Sequence, residues 1–245
     1  MRKFLAPFLV FIFAMGLLEL LASFEFLNQS LLPAPSALLK VLQEIPEDIF
    51  TATQETLVNS FLGFLCSVVM GLTIAFIFSV SKPLRESILP FAVFFQTVPI
   101  IAIAPLLVIY LGFGAPTVIA SAFIVSIFPI IANTMVGLES YQKDQLDLFK
   151  VYKASSLQIL FKLKIPSAYR HIYAGFKISA GLSIVGVIAG EFVAGGGLGA
   201  LIDSARTQQR VDIVFVALFI LALIGLLYLG ILALINFAIC QRRPL

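Results

Sequence analysis

Tryptophan is absent from this sequence, histidine occurs once, cysteine twice, and charged residues make up only 12% of the 245 positions. A soluble domain of this length would carry about a quarter charged residues. The single histidine, His171, excludes the H-E-x-x-H pattern and most histidine-based metal centres. Cys66 and Cys240 both lie inside apolar runs and indicate neither a disulfide nor a metal site. No cofactor is expected.

Nucleotide-binding patterns are also missing. The sequence has no G-x-x-x-x-G-K, so we expect no ATP bound through a phosphate-binding loop of this chain. The GGGLG run at 195–199 lacks the spacing of a dinucleotide loop and is expected to form an outer turn and a short helix. The net charge of +3 does not indicate nucleic acid as a partner, because the basic residues lie between apolar runs.

Long apolar runs dominate instead: 60% of the residues are hydrophobic and the mean hydropathy is +1.08. The runs are continuous over about 20 residues, which is typical of membrane-spanning helices and not of barrel strands. We therefore predict an all-α integral membrane protein in the lipid bilayer, a single domain over 1–245 with six transmembrane helices. The predicted spans are 4–24, 55–80, 88–111, 115–138, 172–194 and 212–240.

Proline and basic residues refine this picture. Pro99, Pro105 and Pro129 lie inside predicted spans, so we expect bent or broken helices there. With both termini cytoplasmic, twelve of the lysines and arginines fall on the inner side and three on the outer side, with Lys177 inside a span. This bias indicates that the long polar segment 139–170 is cytoplasmic.

The segment 139–170 is patterned as a helix–turn–helix. A short helix is predicted to begin at Asp147 and a turn to follow at 153–155. Ser155 and Gln158 form an S-x-x-Q capping box for a second helix, which Pro166 is expected to end. One interpretation is an amphipathic hairpin lying on the lipid surface. The other is a docking element that transmits force from a soluble partner.

This loop resembles the signature loop of ABC importer permeases, E-A-A-x-x-x-G followed nine residues later by I-x-L-P. Asp147 stands for the glutamate, Leu148 and Phe149 for the alanines, and Lys153 for the glycine. The four residues 163–166, LKIP, stand for I-x-L-P. The lysine departs from the pattern, since it takes a positive φ less readily than glycine, and a less sharp turn is expected. The large residues at the alanine positions imply a differently shaped groove in the partner.

Four further segments resemble one subfamily, the permeases for nitrate, aliphatic sulfonates, taurine and the pyrimidine precursor of thiamine. They are LLPAPSALL (31–39), TVPIIAIAPLLVIYLGFG (97–114), FPIIANTMVGL (128–138) and GEFVAGGGLGALI (190–202). The order and spacing agree over residues 30 to 235.

The resemblance implies a type I ABC importer permease in a bacterial inner membrane, itself not an enzyme. The implied partners are a second permease copy, two ATPase subunits that hydrolyse ATP, and an external solute-binding protein. The implied ATPase-coupling residues are Asp147, Leu148, Phe149, Val151, Tyr152, Lys153, Ala154, Ser155 and Pro166.

Candidate pathway residues are polar groups inside the predicted spans. Glu191 is expected either to form a gate or solute contact, or to be solvated or paired with a polar neighbour, because a carboxylate facing lipid is costly. Gln96 and Thr97 precede Pro99, where a broken helix could offer backbone groups to a solute. For these two and for Asn133, ordinary hydrogen bonding between helices is the alternative.

Two other classes of protein are alternatives to an importer subunit. An ion-coupled secondary transporter would use Glu191 or Glu19 as a proton carrier, but no inverted repeat is visible. A membrane-embedded enzyme would need clustered acids or histidines, whereas the acids here are scattered. The scarcity of basic residues inside the spans favours a neutral or heterocyclic solute over an anion, although the binding protein sets much of the selectivity.

Overall fold

The computed structural model describes residues 2–24, 31–80 and 97–242, and every regular element in these ranges is helical. In chain order the helices are α1 (Arg2–Ser23), α2 (Pro35–Glu44), α3 (Pro46–Val80), α4 (Ile100–Leu111), α5 (Ala115–Gly137), α6 (Lys143–Val151), α7 (Ser156–Ile159), α8 (Ile165–Ala194), α9 (Gly197–Thr207) and α10 (Val211–Arg242). A π-helical turn, Leu160–Lys164, joins α7 to α8.

Four helical stretches in the described ranges are long and apolar enough to cross a bilayer. They are Pro46–Ser79, Ala115–Gly137, Ser156–Ala194 and Val211–Gln241. Two shorter apolar stretches, Ile12–Ser23 and Ile100–Leu111, lie within the first and third predicted spans. Residues 88–96 of the third predicted span lie outside the described residues.

The helix that contains the second predicted span begins earlier in the chain than expected. Helix α3 starts at Pro46 instead of residue 55, since proline is favoured at the first helical position and Glu47 and Asp48 stabilise the first turn. Only Ile45 separates α2 from α3. The two are therefore connected without a flexible loop.

The prolines have unequal effects. Pro99 is extended, with φ −60° and ψ 125°, and α4 begins directly after it, so the predicted break exists there. Pro105 and Pro129 lie inside α4 and α5 without ending either helix. Each removes only one backbone hydrogen bond, which a well-packed helix tolerates.

The expectation that Pro166 ends the second hairpin helix is wrong. Helical structure continues from Ser156 through the π turn to Ala194. In that turn the Ile165 amide donates to the Leu160 carbonyl five residues back. The wider turn accommodates a proline ring and its missing N–H near the start of α8.

The centre of the bundle is built from small residues on α3, α5 and α8. Gly186 and Gly190 of α8 lie directly against Ala122 and Val118 of α5, and Gly63 of α3 also faces Ala122. Many large apolar side chains point outward instead. This inverted distribution is typical of helices that pack in lipid, where close backbone approach replaces hydrophobic burial.

Buried hydroxyls connect the same helices. The Ser67 and Ser126 hydroxyls lie 2.7 Å apart, and Ser179 donates to the Ser126 carbonyl at 2.6 Å. On the far side of α3, Tyr228 of α10 donates to the Leu57 carbonyl at 3.0 Å. These bonds satisfy polar groups away from water and fix the positions of the helices.

Candidate functional site

Three consecutive glycines form the turn between α8 and α9. Gly195, Gly196 and Gly197 have φ values of 80°, 84° and 62°, a region that favours glycine. A Cβ atom on Gly197 would also collide with the Glu191 carboxylate and lie 2.6 Å from the Thr56 hydroxyl. The glycine run therefore permits the turn and the short helix that the sequence predicts. It also permits the close approach of α9 to Glu191.

Side chains from α3 and α8 cap the first amides of α9. Gly199 donates its amide hydrogen to Glu191 Oε2 at 2.8 Å, and Leu198 donates to Thr56 Oγ1 at 2.8 Å. The Thr56 hydroxyl in turn donates to Glu191 Oε1 at 2.7 Å. Glu191 is only 1% exposed, and each of its two carboxylate oxygens accepts one of these hydrogen bonds.

A second carboxylate completes this arrangement. Glu55 Oε2 accepts the Gly197 amide hydrogen at 2.7 Å. The N-terminus of α9 carries positive partial charge and unpaired amides, which negative side chains satisfy. We call Glu55, Thr56 and Glu191 the α9 cap. It joins the first third of α3 and the C-terminal end of α8 to the N-terminus of α9.

Beside the α9 cap lies a cleft of about 680 Å³. It is bordered by the N-terminal part of α3, by the start of α5 and by the end of α8. The lining residues are Thr51, Gln54, Glu55, Val58, Asn59, Phe113, Gly114, Ala115, Ala194, Gly195 and Gly196. Neither lysine nor arginine occurs among these described lining residues, and Glu55 is the one charged group in the set.

Among the described residues, the predicted pathway positions Glu191, Thr97 and Asn133 lie apart from one another. Glu191 is buried behind the cleft. Thr97 lines a separate cavity of about 250 Å³ at the break before α4, and Gln96 lies outside the described residues. Asn133 donates to the Pro129 carbonyl at 2.8 Å, within its own helix. It lies about 15 residues along α5 from the level of Glu191, roughly 22 Å.

The hairpin of segment 139–170 begins earlier than the sequence predicts. Helix α6 starts at Lys143, and Asp147 lies in its middle, paired with Lys150 at 2.9 Å. Tyr152 follows the helix as its C-terminal cap. Lys153 then adopts a φ of 53°, so the expectation of a less sharp turn is wrong. The Ala154 amide donates to the Phe149 carbonyl at 3.0 Å, which closes the turn.

The predicted capping box is confirmed. The Gln158 amide donates to Ser155 Oγ at 3.3 Å, and the Ser155 amide donates to Gln158 Oε1 at 2.8 Å. Helix α7 therefore starts at Ser156 as the sequence indicates. From there the helix runs without interruption to the α9 cap.

The hairpin carries uncovered apolar side chains on both sides of its turn, which together we call its apolar face. Val151 and Tyr152 are each 78% exposed, and Leu157 and Phe161 each 65%. A groove of about 380 Å³ runs between α6 and α7 and is lined by Leu148, Phe149, Tyr152, Ala154, Gln158 and Lys162. The hairpin and the cleft are at opposite ends of the bundle, because α5 and α8 run from one to the other.

Solved structures share this arrangement of helices. The MetNI methionine ABC transporter, in an inward facing conformation, matches with a TM-score of 0.67 at 18% identity. The match covers 76% of this chain and 93% of that chain. The fold is thus that of an ABC importer permease.

Sequence comparisons define the family. Residues 67–239 match the family described as binding-protein-dependent transport system inner membrane component. A probable ABC transporter permease protein of Haemophilus influenzae is 32% identical over 94% of each chain. The formylaminopyrimidine transport permease protein ThiX of Halalkalibacterium halodurans is 30% identical over 91% of this chain and 90% of its own. The chain belongs to this family of inner membrane permease subunits. Membership favours ATP-driven import over ion-coupled transport.

Sequence reasoning missed Glu55 and Thr56. Both lie at the predicted boundary of the second span, where polar residues are expected in any case. A signal was available in the sequence. Pro46 followed by Glu47 and Asp48 is typical of a helix start, and a helix that begins there contains Glu55 and Thr56. Their partners are 142 residues away in sequence, so only the tertiary structure shows the contact.

Proposed function

We propose that this protein is the pathway-forming subunit of an importer in which two permease copies enclose the route of a small solute. An external solute-binding protein delivers the solute at the cleft end. Two ATPase subunits bind the 139–170 segment in the cytosol. The termini are cytoplasmic, and the chain performs no covalent chemistry itself.

The apolar face of the hairpin is the observation that carries this proposal. Val151 and Tyr152 project from the polar end of a membrane bundle, where their exposure to water is unfavourable. The groove between α6 and α7 adds a concave contact surface next to them. An ATPase subunit that covers this face would bury it, in the manner of a helix packed into an apolar groove.

The uninterrupted helix from Ser156 to Ala194 supports a mechanical role. Its 39 residues extend roughly 58 Å, from the hairpin to the α9 cap. A rigid helix of this length can carry a displacement of the hairpin to the outer end of the bundle. We propose that closure of the ATPase pair moves the two hairpins, and that α8 transmits this motion to the α9 cap and the cleft.

Charged substitutions on the apolar face test the docking surface. We expect Val151→Asp and Tyr152→Asp to abolish co-purification with the ATPase subunit and to lower ATP-dependent uptake at least tenfold, because a buried unpaired charge costs several kcal/mol. Both side chains are exposed, so membrane insertion and folding should be preserved. Lys143→Glu is the control, since position 143 is also exposed and lies at the other end of α6, about 12 Å from Val151 along the helix axis.

Two results would contradict the docking surface. The first is unchanged ATPase association in both aspartate variants. The second is labelling of Ser155→Cys from the outside of intact cells, in a Cys66→Ser and Cys240→Ser background. If the hairpin instead lies on lipid, the aspartate variants would release the hairpin from vesicles while ATPase binding persists.

A further inference from the structure

The cleft beside the α9 cap contains the Glu55 carboxylate, and only one of its two oxygens accepts a hydrogen bond from the described residues. Glu55 Oε2 accepts the Gly197 amide hydrogen, whereas no described residue donates a hydrogen bond to Oε1. Glu55 is exposed on the cleft wall. Each carboxylate oxygen can accept two hydrogen bonds, so Glu55 retains acceptor capacity that faces the cleft.

The other lining groups are suited to a flat ring that contains nitrogen. Phe113 is 75% exposed and presents an aromatic ring to the cleft. Gln54 and Asn59 add side-chain amides, which can donate to ring nitrogens and accept from amino groups. A volume of about 680 Å³ lies within the range of small-molecule sites and accommodates a single heterocyclic ring.

An anion would find little to bind here. Nitrate or sulfonate groups are usually held by arginine, lysine or the free amides of a helix N-terminus. Neither arginine nor lysine occurs among the described residues of the lining. The amides at the start of α9 are already occupied by Glu55, Thr56 and Glu191. The Glu55 charge would also repel an anion.

We propose that this cleft is a solute subsite for a neutral or monocationic amino-heterocycle, with Glu55 as its anchoring residue. An amino group next to a protonated ring nitrogen presents two parallel N–H donors, which match a carboxylate in a two-pronged hydrogen bond. Phe113 stacks on the ring. The inference rests on the importer function proposed above and narrows its solute to one chemical class.

Binding to the full-length permease in lipid nanodiscs tests this subsite. Equilibrium dialysis is done with 4-aminopyrimidine and, separately, with nitrate. We expect the wild-type protein to bind 4-aminopyrimidine and not nitrate. Glu55→Gln should weaken that binding roughly 10- to 100-fold through loss of a charge-assisted bond. Because glutamine keeps a carbonyl oxygen for the Gly197 amide, the α9 cap should survive the substitution.

Two further variants sharpen the result. Glu47→Gln removes an equal charge about 12 Å further along α3, outside the cleft, and should change the affinity by no more than about twofold. Phe113→Ala should weaken binding about fivefold or more through lost stacking. It leaves the α9 cap untouched, so it tests the subsite even if Glu55→Gln fails to fold.

Several results would overturn the proposal: no binding of 4-aminopyrimidine, preferential binding of nitrate, or equal affinities in wild type, Glu55→Gln and Phe113→Ala. The measurement needs no ATPase subunit. Failure of the hairpin to bind an ATPase would therefore refute the importer function, and failure of the dialysis experiment would refute the subsite alone.

Discussion

The contact between α5 and α8 should be highly sensitive to a single methyl group at Gly186. A Cβ atom there would lie 2.7 Å from Ala122 Cα and 2.7 Å from the Ser121 carbonyl oxygen. Both are backbone atoms, so neither can move away by a change of rotamer. Contacts between carbon atoms are optimal at about 3.5 Å or more, so the helices must separate by about 0.8 Å. Overpacking of this kind costs about 1–3 kcal/mol.

Gly181→Ala is the matched control for Gly186→Ala. Gly181 lies on the same helix and is exposed, and a methyl group added to it would meet no described atom within 4 Å. Both alanines gain about 1 kcal/mol in helix propensity, so this contribution cancels in the comparison. The free energy of unfolding should therefore be about 1–3 kcal/mol lower for Gly186→Ala than for Gly181→Ala.

Thermal unfolding of both variants in nanodiscs measures this difference. For a chain of this length, each kcal/mol corresponds to about 2–4 °C in Tm. Gly186→Ala should therefore melt several degrees below Gly181→Ala. Uptake by Gly186→Ala should also fall, because the proposed movement of α8 as a rigid helix depends on its packing against α5. Equal melting temperatures would refute the argument that backbone contact sets the packing of α5 against α8.

Three further predictions concern hydrogen bonds and backbone strain. Glu191→Gln should lower the stability of the α9 cap by about 1–3 kcal/mol and speed amide hydrogen exchange over 197–207, since one buried carboxylate acceptor is lost; unchanged exchange would contradict this. Tyr228→Phe should cost about 0.5–1.5 kcal/mol in unfolding free energy through loss of its hydrogen bonds with the Leu57 carbonyl and the Ser60 hydroxyl, and a fully stable variant would show both bonds to be dispensable. Lys153→Gly should keep the turn and raise the stability by up to about 1 kcal/mol, because a left-handed φ is costly for lysine; a marked drop in Tm would argue otherwise.

Local signals predict the capping box of the hairpin, but not the start of α6, the positive φ of Lys153 or the continuation of the helix past Pro166. The capping box at Ser155 requires only side chains three positions apart, so it can be identified in any sequence. Pro166 predicts a helix end on equally local grounds, and there the prediction is wrong. The π turn before it is not apparent from the sequence, because it depends on how Leu160 and Leu163 pack into the bundle.

Glu191 shows where sequence reasoning stops. Its position in an apolar run indicates a special environment, but leaves open both a pathway contact and a polar pairing. The Thr56 hydroxyl that binds it lies 135 residues away. In addition, Glu55 and Glu191 are both glutamates in long apolar helices at the same end of the bundle, and composition cannot tell which of them faces the cleft.

Hydrophobicity and helical period are properties of short stretches, so the sequence alone determined an all-helical membrane chain and most of its helix limits. The distribution of basic residues predicts which side is cytoplasmic. The resemblance of 139–170 to a known loop added the family. The tertiary structure decided which carboxylate is buried and which faces the cleft, because this depends on glycine contacts that bring α3, α5, α8 and α9 close together. Such contacts join residues more than a hundred positions apart, and no local pattern specifies them.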